Sequence, residues 1–435
     1  MTPTLALGTG GASILLLLAI RVPIAVTLGL VGVAGIYSFV GWSGAESVLK
    51  AVPYNFVAHW TLSAIPMFIL MGNIASRAGL TGDLFHAARV WLNWLPGGLA
   101  VASIVGAAGF ATVTGSSVAC AAAMGRIAIP EMLDRKYDPG MAAGTLAAAG
   151  LLGSLIPPSV ALLLFALFAE VSVAKLFLAA TIPGLLTAAA FCLLVILRAW
   201  FKPKLAPRDT RIYSWAERFA VLLRLGPVVL VVVGVVGGMV LGAFSPTEAG
   251  AVGAFLTLLI SVAQRRIDFR SLIEAGRDCL QICAAVFIIA ACAAILQRFL
   301  ALSGVTAMVG DAILASGLGP VGVILIVAGV YVVLGMFLDP IGIMLLTLPV
   351  LIPIFETMGI NLIWVGILIA KLLEMALITP PVGLNVFVIK SVVGDRIQLT
   401  TIFRGVMWFF ALEVVILAVL IFVPGLSLWL PGLID

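Results

Sequence analysis

The sequence contains few charged residues and very little histidine. Only 10% of its 435 residues are Asp, Glu, Lys or Arg, and two are histidines. A water-soluble globular chain carries about 25% charged residues, so this chain lacks the polar side chains needed to cover a surface that faces water. Its low polarity also differs from the composition of disordered chains. The shortage of charge therefore excludes a soluble enzyme and a disordered protein.

The sequence also lacks the motifs that mark common redox, metal and catalytic sites. Its five cysteines lie within or beside apolar segments and form no CxxC motif, which favours buried apolar residues over a disulfide scaffold. No HExxH, P-loop or GxSxG motif is present. Because no Lys or Arg precedes Arg21, we do not expect a cleaved signal peptide. Without a P-loop the chain cannot hydrolyse ATP alone.

Apolar residues dominate instead, at 63% of the chain with a mean hydropathy of +1.27. Many continuous apolar runs approach the roughly 20 residues that span a bilayer as a helix. Their continuity excludes the alternating pattern of a transmembrane barrel. The net charge of +5 comes mainly from basic residues between apolar runs, which indicates membrane topology and no nucleic-acid partner. We therefore predict an all-α polytopic membrane protein in the lipid bilayer.

Prolines show that the chain is an internal repeat. Four pairs are separated by 223 residues, namely Pro23/Pro246, Pro130/Pro353, Pro157/Pro380 and Pro158/Pro381. This spacing predicts a first repeat over 1–200 and a second over 226–435, joined by a basic linker at 201–225. Basic residues place the linker in the cytoplasm and fall at non-equivalent positions in the two halves. We therefore expect inverted repeats with both termini on the side of the membrane opposite the cytoplasm.

Each repeat contains an apolar segment that is too short for two full crossings. The segments 96–130 and 320–355 have polar or helix-breaking residues at their centres. Such residues are tolerated in a membrane only inside protein or beside a cavity. We predict re-entrant hairpins here, followed by helices over 139–170 and 361–390 that are broken at consecutive prolines. Paired broken helices in inverted repeats indicate a substrate and ion site near the membrane midplane.

The ionisable residues within these segments are few. Asp339 lies in the middle of the second hairpin, where a lone carboxylate is costly. It can ligate a cation, which we favour, or cap the following half-helix, and both can hold. Free carbonyl and hydroxyl oxygens at the breaks suit Na⁺, whereas half-helix N-termini favour an anion. Lys371 and Glu374 can pair on one helix face, which favours a structural ion pair over a substrate role.

Four motifs in order resemble the large membrane subunit of tripartite ATP-independent periplasmic (TRAP) transporters. They are Gly115–Ala119, Ile156–Ser159, Ser245–Gly250 and Thr379–Asn385. The resemblance covers essentially the whole chain. It implies an elevator-type secondary transporter of the bacterial inner membrane, driven by Na⁺ and taking up organic acids that bear carboxylates. It also implies two partners, a small four-helix membrane subunit and a soluble periplasmic substrate-binding protein.

The resemblance further implies two sodium sites. The first would combine the hydroxyls of Thr114 and Ser116 with the carbonyls of Gly153, Ile156 and Pro158. The second would combine Asp339 with Thr379 and Val382. We expect Ser117, Ser159 and Asn385 to face the gap between the two breaks and contact the substrate.

We predict the permease subunit of a sodium-coupled TRAP transporter for an organic acid. A stand-alone carboxylate symporter or exchanger is the alternative, and it would need no periplasmic partner. An intramembrane enzyme is disfavoured because no paired-Asp, Ser-Lys or metal-ligand set is present. Two occluding hairpins also suit alternating access better than an open channel. A C4-dicarboxylate, a sialic acid, another sugar acid or a keto acid would all suit such a site.

Overall fold

A computed structural model describes residues 2–207, 211 and 213–433, so the predicted linker at 201–225 is described only in part. The described chain is helical throughout and contains no strand. Its first half contains α1 (Pro3–Ala19), α2 (Ile24–Val57), α3 (Ala64–Arg77), α4 (Leu80–Leu92), α5 (Gly98–Thr114), α6 (Ser117–Asp134), α7 (Pro139–Leu155), α8 (Val160–Phe168) and α9 (Val173–Phe201).

The described part of the second half is also entirely helical in its regular structure. It contains α10 (Trp215–Val232), α11 (Gly238–Val240), α12 (Pro246–Ala263), α13 (Phe269–Ser303), α14 (Val305–Ala315), α15 (Pro320–Gly335), α16 (Pro340–Thr357), α17 (Leu362–Ala376), α18 (Leu384–Val393), α19 (Leu399–Phe422) and α20 (Gly425–Leu428). A π turn over Val233–Gly237 joins α10 to α11.

Eight helical segments among the described residues are long and apolar enough to cross a membrane. They are Ile24–Val57, Pro139–Phe168, Val173–Phe201, Trp215–Val240, Pro246–Ala263, Phe269–Ser303, Pro340–Thr357 and Leu399–Phe422. Two of them, α10 and α12, begin with capping boxes. At α12, Glu248 Oε2 accepts a hydrogen bond from the backbone N–H of Ser245 at 2.8 Å, which satisfies a helix-terminal donor. The prediction of an all-α polytopic membrane protein is confirmed.

The paired helices extend beyond the ends predicted for the hairpins. We expected these segments to end at residues 130 and 355, but α6 continues to Asp134 and α16 to Thr357, with Pro130 and Pro353 inside the helices. A proline removes one N–H and kinks a helix. In a membrane helix the remaining backbone bonds can continue on both sides of the kink. Proline therefore does not end these helices.

Two basic segments, 77–89 and 264–278, are largely helical, although their charges suggest that they lie between membrane crossings. Arg77 at the end of α3 pairs with Glu274 Oε2 at 2.5 Å and with Asp278 Oδ2 at 2.6 Å on α13. Arg266, just before α13, pairs with Asp83 on α4. These ion pairs connect the two halves of the chain at one face of the molecule.

α7 lies at the centre of the fold, and every residue from Gly140 to Leu155 is buried. Its Gly140 and Gly144, four residues apart, allow the backbone of α19 to approach closely. A Cβ added to Gly405 on α19 would lie 1.9 Å from the carbonyl oxygen of Gly140. Small residues spaced by four are a common means of close helix packing in membranes. The position of α7, and therefore of the break that follows it, depends on this contact.

Gly405→Ala should lower the stability of the protein because its methyl group would overlap the Gly140 carbonyl. Overpacking of this kind costs about 1–3 kcal/mol, so the melting temperature in detergent should fall. Gly226→Ala on α10 is the matched control, because its Cβ would have no neighbour within 4 Å. Equal melting temperatures for the two variants would show that the α7–α19 contact can relax.

Candidate functional site

The tip between α5 and α6 is a tight left-handed turn. Gly115 has φ +60°, and a Cβ at this position would lie 2.6 Å from the carbonyl oxygen of Pro158. Glycine is needed here for both reasons. Ser116 caps α6 by accepting a hydrogen bond from Ala119 N at 3.4 Å. Thr114 Oγ1 donates to Phe110 O at 3.2 Å and keeps its lone pairs available.

This tip contacts the break between α7 and α8 directly. The backbone N–H of Val160 donates to Gly115 O at 3.4 Å. A Cβ added to Gly153 would lie 2.6 Å from Ser116 O. The backbones of the break and the tip are therefore in close contact. Thr114, Ser116, Gly153 and Pro158 lie in this one region. The side chain of Ile156 packs towards Gly184 on α9, which leaves only its carbonyl for the predicted role.

The tip between α15 and α16 places a carboxylate at a helix N-terminus. Asp339 Oδ2 accepts a hydrogen bond from Gly342 N at 2.8 Å, so Asp339 is the N-cap of α16. Its side chain is exposed, and one cap bond leaves most of its acceptor capacity free. In the following break, Thr379 Oγ1 donates to Met375 O at 2.6 Å. Val382 precedes Gly383, whose φ of +55° turns the chain into α18.

The two tips and the two breaks share one cavity of about 250 Å³. Its wall includes the first turns of four helices, α6, α8, α16 and α18, through Ser117, Val160, Pro340 and Leu384. Each helix N-terminus carries a partial positive charge. Ligand pockets typically measure about 300–1,000 Å³. At about 250 Å³ this cavity lies just below that range and has room only for a small molecule.

Three of the predicted sodium ligands and one predicted substrate contact lie in the cavity wall. Thr114, Ser116, Ser117 and Asp339 all line the cavity. Among the described lining residues, Asp339 is the single charged side chain, and none is Lys, Arg or His. No group of three or more His, Cys, Asp or Glu side chains in the described chain could hold a metal ion. A cation here would therefore rely mainly on hydroxyl and carbonyl oxygens.

Ser159 and Asn385 are buried and make hydrogen bonds within the protein. Ser159 caps α8, donating to Ser154 O at 2.5 Å and accepting from Leu162 N at 3.3 Å. Asn385 is fully buried, and its Nδ2 donates to Ala147 O on α7 at 3.1 Å. Neither is among the described residues that line the cavity, so their direct contact with a substrate stays a prediction.

Sequence reasoning missed three polar residues near the site. Asn73 and Ser154 line the cavity, but short polar residues in apolar helices are too common to single out. Glu413 is fully buried and pairs with Lys371 at 2.7 Å. A lone Glu within the apolar run of α19 was a usable signal, since such residues in membrane helices are rare and functional. The predicted Lys371–Glu374 pair is present, at 3.0 Å.

The family model for the DctM component of tripartite ATP-independent periplasmic transporters matches residues 12–426. The chain is 31% identical over 96% of its length to a C4-dicarboxylate TRAP transporter large permease protein of Vibrio cholerae, and covers 96% of it. It is 34% identical over 90% of its length to the protein of the same name in Pseudomonas aeruginosa, and covers 93% of it.

One further relative and one solved structure are similar to this chain at lower sequence identity. An isethionate TRAP transporter permease protein of Oleidesulfovibrio alaskensis is 29% identical over 96% of this chain, which covers 65% of that protein. The crystal structure of the Alcanivorax borkumensis YdaH transporter has a TM-score of 0.62 at 14% identity and covers 95% of this chain and 98% of its own; this likeness concerns the fold. The match along nearly the whole sequence shows that the chain belongs to the DctM family, the large permease subunits of TRAP transporters.

Proposed function

We propose that the chain couples the entry of Na⁺ to the import of a carboxylate-bearing organic acid. As a member of a family of permease subunits it is part of a transporter and not an enzyme. The observation that carries the proposal is the single cavity that both hairpin tips and both breaks share. It contains four helix N-termini, hydroxyl groups and one carboxylate, with no basic side chain among the described lining residues.

Two sodium sites would use the oxygens at the tips and breaks. The first would join Thr114 and Ser116 to the carbonyls of Gly153, Ile156 and Pro158, and the second would join Asp339 to Thr379 and Val382. Carbonyl, hydroxyl and carboxylate oxygens are hard ligands that suit such cations. The contact of the first tip with its break supports the first site, because it holds both sets of oxygens within one small region.

Ion binding would prepare the cavity for an anion. With Asp339 ionised and no basic side chain in the described wall, an anionic substrate would meet a negative charge. Bound Na⁺ would offset that charge, and the four helix N-termini would then favour a carboxylate. Cation and anion would therefore stabilise each other, which is the coupling free energy that symport requires. Ser117, Ser159 and Asn385 would contact the substrate.

In transport, the hairpins and broken helices would move as an elevator against the other helices of the inverted-repeat fold. The protein would lie in the bacterial inner membrane with both termini in the periplasm.

We expect a separate small four-helix membrane subunit. The greater length of the isethionate relative is compatible with such an added part. A periplasmic binding protein would deliver the substrate. Two relatives named for C4-dicarboxylates make succinate the first probe.

Uptake of labelled succinate into proteoliposomes should require an inward Na⁺ gradient, because the cavity needs a cation before it can accept an anion. The vesicles would contain this chain and its small subunit, with and without the binding protein outside. Uptake without the binding protein would support the stand-alone symporter instead. Uptake driven by a proton gradient in the absence of Na⁺ would remove the sodium sites from the proposal.

Asp339→Asn should raise the Na⁺ concentration needed for half-maximal uptake by about tenfold or more, which corresponds to about 1.4 kcal/mol. Asparagine caps a helix as well as aspartate does, so α16 should keep its N-cap while the ion site loses its charge. Glu248→Gln removes a carboxylate from the N-terminus of α12, away from the cavity, and is the matched control. Equal Na⁺ dependence in both variants would exclude Asp339 as an ion ligand.

Gly115→Ala should abolish Na⁺-dependent uptake because the added methyl group would push the tip away from Pro158 O. Gly317→Ala separates this effect from backbone strain. Gly317 also has a positive φ, +68°, but its Cβ would have no neighbour within 4 Å. We expect the control variant to retain uptake in the same vesicle assay. Normal uptake by Gly115→Ala would show that the close contact of tip and break is not needed for ion binding.

A further inference from the structure

Three charged side chains form a cluster at the centre of the molecule. Lys371 Nζ lies 3.0 Å from Glu374 Oε2 and 2.7 Å from Glu413 Oε2. It also donates to Thr187 Oγ1 at 2.8 Å. All three charged side chains are completely buried. The cluster therefore connects α17, which carries Lys371 and Glu374, to α19 and α9.

The charges of this cluster do not balance. Two carboxylates and one ammonium group leave one negative charge when all three are ionised. Within the described chain, neither carboxylate oxygen of Glu413 has a hydrogen-bond partner, and the ion pair of Oε2 with Lys371 is the one polar contact that the structure shows for the group. An uncompensated charge in a dry interior is so costly that the group usually takes up a proton instead. Two carboxylates around one ammonium group would share that proton, so it belongs to the cluster.

The charged groups that act on the cluster are its own members. Each carboxylate interacts electrostatically with Lys371, and Glu374 also interacts with Glu413. The other titratable side chains on the helices packed against α17 and α19 are Lys175, Cys192, Arg198, Tyr331, Glu356, Lys390 and Arg404. Arg198 stacks over Trp408 and Tyr331 bonds to Thr347, so these two have their contacts elsewhere.

The cluster is one hydrogen bond away from the cavity. Ser154 Oγ lies 3.4 Å from Glu374 Oε1 and 2.7 Å from Ser117 Oγ. Both serines line the cavity. A hydroxyl group can donate or accept as its neighbours require. The two serines can therefore pass a change at Glu374 to the cavity wall.

We propose that Lys371, Glu374 and Glu413 form a proton-binding site, and that its proton promotes anion binding in the cavity. With the proton on Glu374, that residue donates to Ser154, Ser154 donates to Ser117, and Ser117 can donate to a carboxylate in the cavity. Without the proton, Glu374 only accepts, so both hydroxyls turn towards it and Ser117 presents lone pairs to the cavity. Only this linkage to the anion rests on the proposed function.

Infrared spectroscopy tests the proton site without a substrate. At neutral pH the purified wild-type protein should show the carbonyl stretch of a buried protonated carboxylic acid. Glu413→Gln leaves a neutral Lys371–Glu374 pair and should lose that band, and Glu374→Gln should lose it for the same reason. Glu356→Gln, which alters an exposed carboxylate at the end of α16, should retain it. The same band in the wild type and in both cluster variants would overturn the proposal.

Succinate binding at saturating Na⁺ tests the linkage. Free carboxylic acids such as succinate stay ionised from about pH 7 to about pH 9. Over this range the affinity of the wild type for succinate should fall as the pH rises. The loss of one proton limits this fall to at most about tenfold per pH unit. Glu413→Gln should bind succinate with little pH dependence, and Glu356→Gln should behave as the wild type does. Equal slopes in the wild type and Glu413→Gln would overturn the linkage.

A wild-type protein that binds no succinate would contradict the proposed substrate class. The infrared result would then decide the proton site alone, so failure of the proton site and failure of the proposed function can be distinguished.

Discussion

Backbone polar groups freed at the two helix breaks need partners inside the membrane, where no water can supply them. In the first half, Val160 N donates to Gly115 O, so the hairpin tip satisfies part of the break. In the second half, Asn385 N donates back to Leu377 O. The first contact fixes where the tip of the first half lies, and the second closes the break between α17 and α18 on itself. Groups that the protein leaves unsatisfied remain available to an ion or a substrate, and the helix N-termini among them meet at one cavity.

Charged side chains inside the membrane also need partners. The described cavity wall carries one carboxylate at Asp339, and the buried cluster carries one carboxylate more than Lys371 can neutralise. Each place has an excess negative charge that a cation can compensate, and the attraction is strongest in the buried cluster, where the dielectric is low. The exposed position of Asp339 suits an ion that enters from the cavity. The dry position of Glu413 excludes a hydrated ion and suits a proton.

Much of the centre could be predicted from the sequence because it depends on local chemistry. Consecutive prolines break a helix wherever they occur, and an aspartate before Pro340 caps the next helix, as observed. The contacts of Ser154, Asn73 and Glu413 depend on which helices pack together, and no local pattern encodes that packing. The orientation of Asn385 was equally out of reach, because its direction towards Ala147 depends on how α18 rotates against α7.

The short path between the proposed ion and substrate positions removes the need for long-range communication. Ser116 and Ser117 are adjacent at the start of α6. The backbone of Ser116 packs against Gly153 of α7, and the hydroxyl of Ser117 bonds to Ser154. An ion that ties Ser116 to the break would therefore also fix the direction of Ser117. Coupling of this kind needs only one rigid helical turn, because the ion and the substrate would both act on the orientation of that turn. The glycines at 115 and 153 make that turn possible, because any side chain there would separate tip from break.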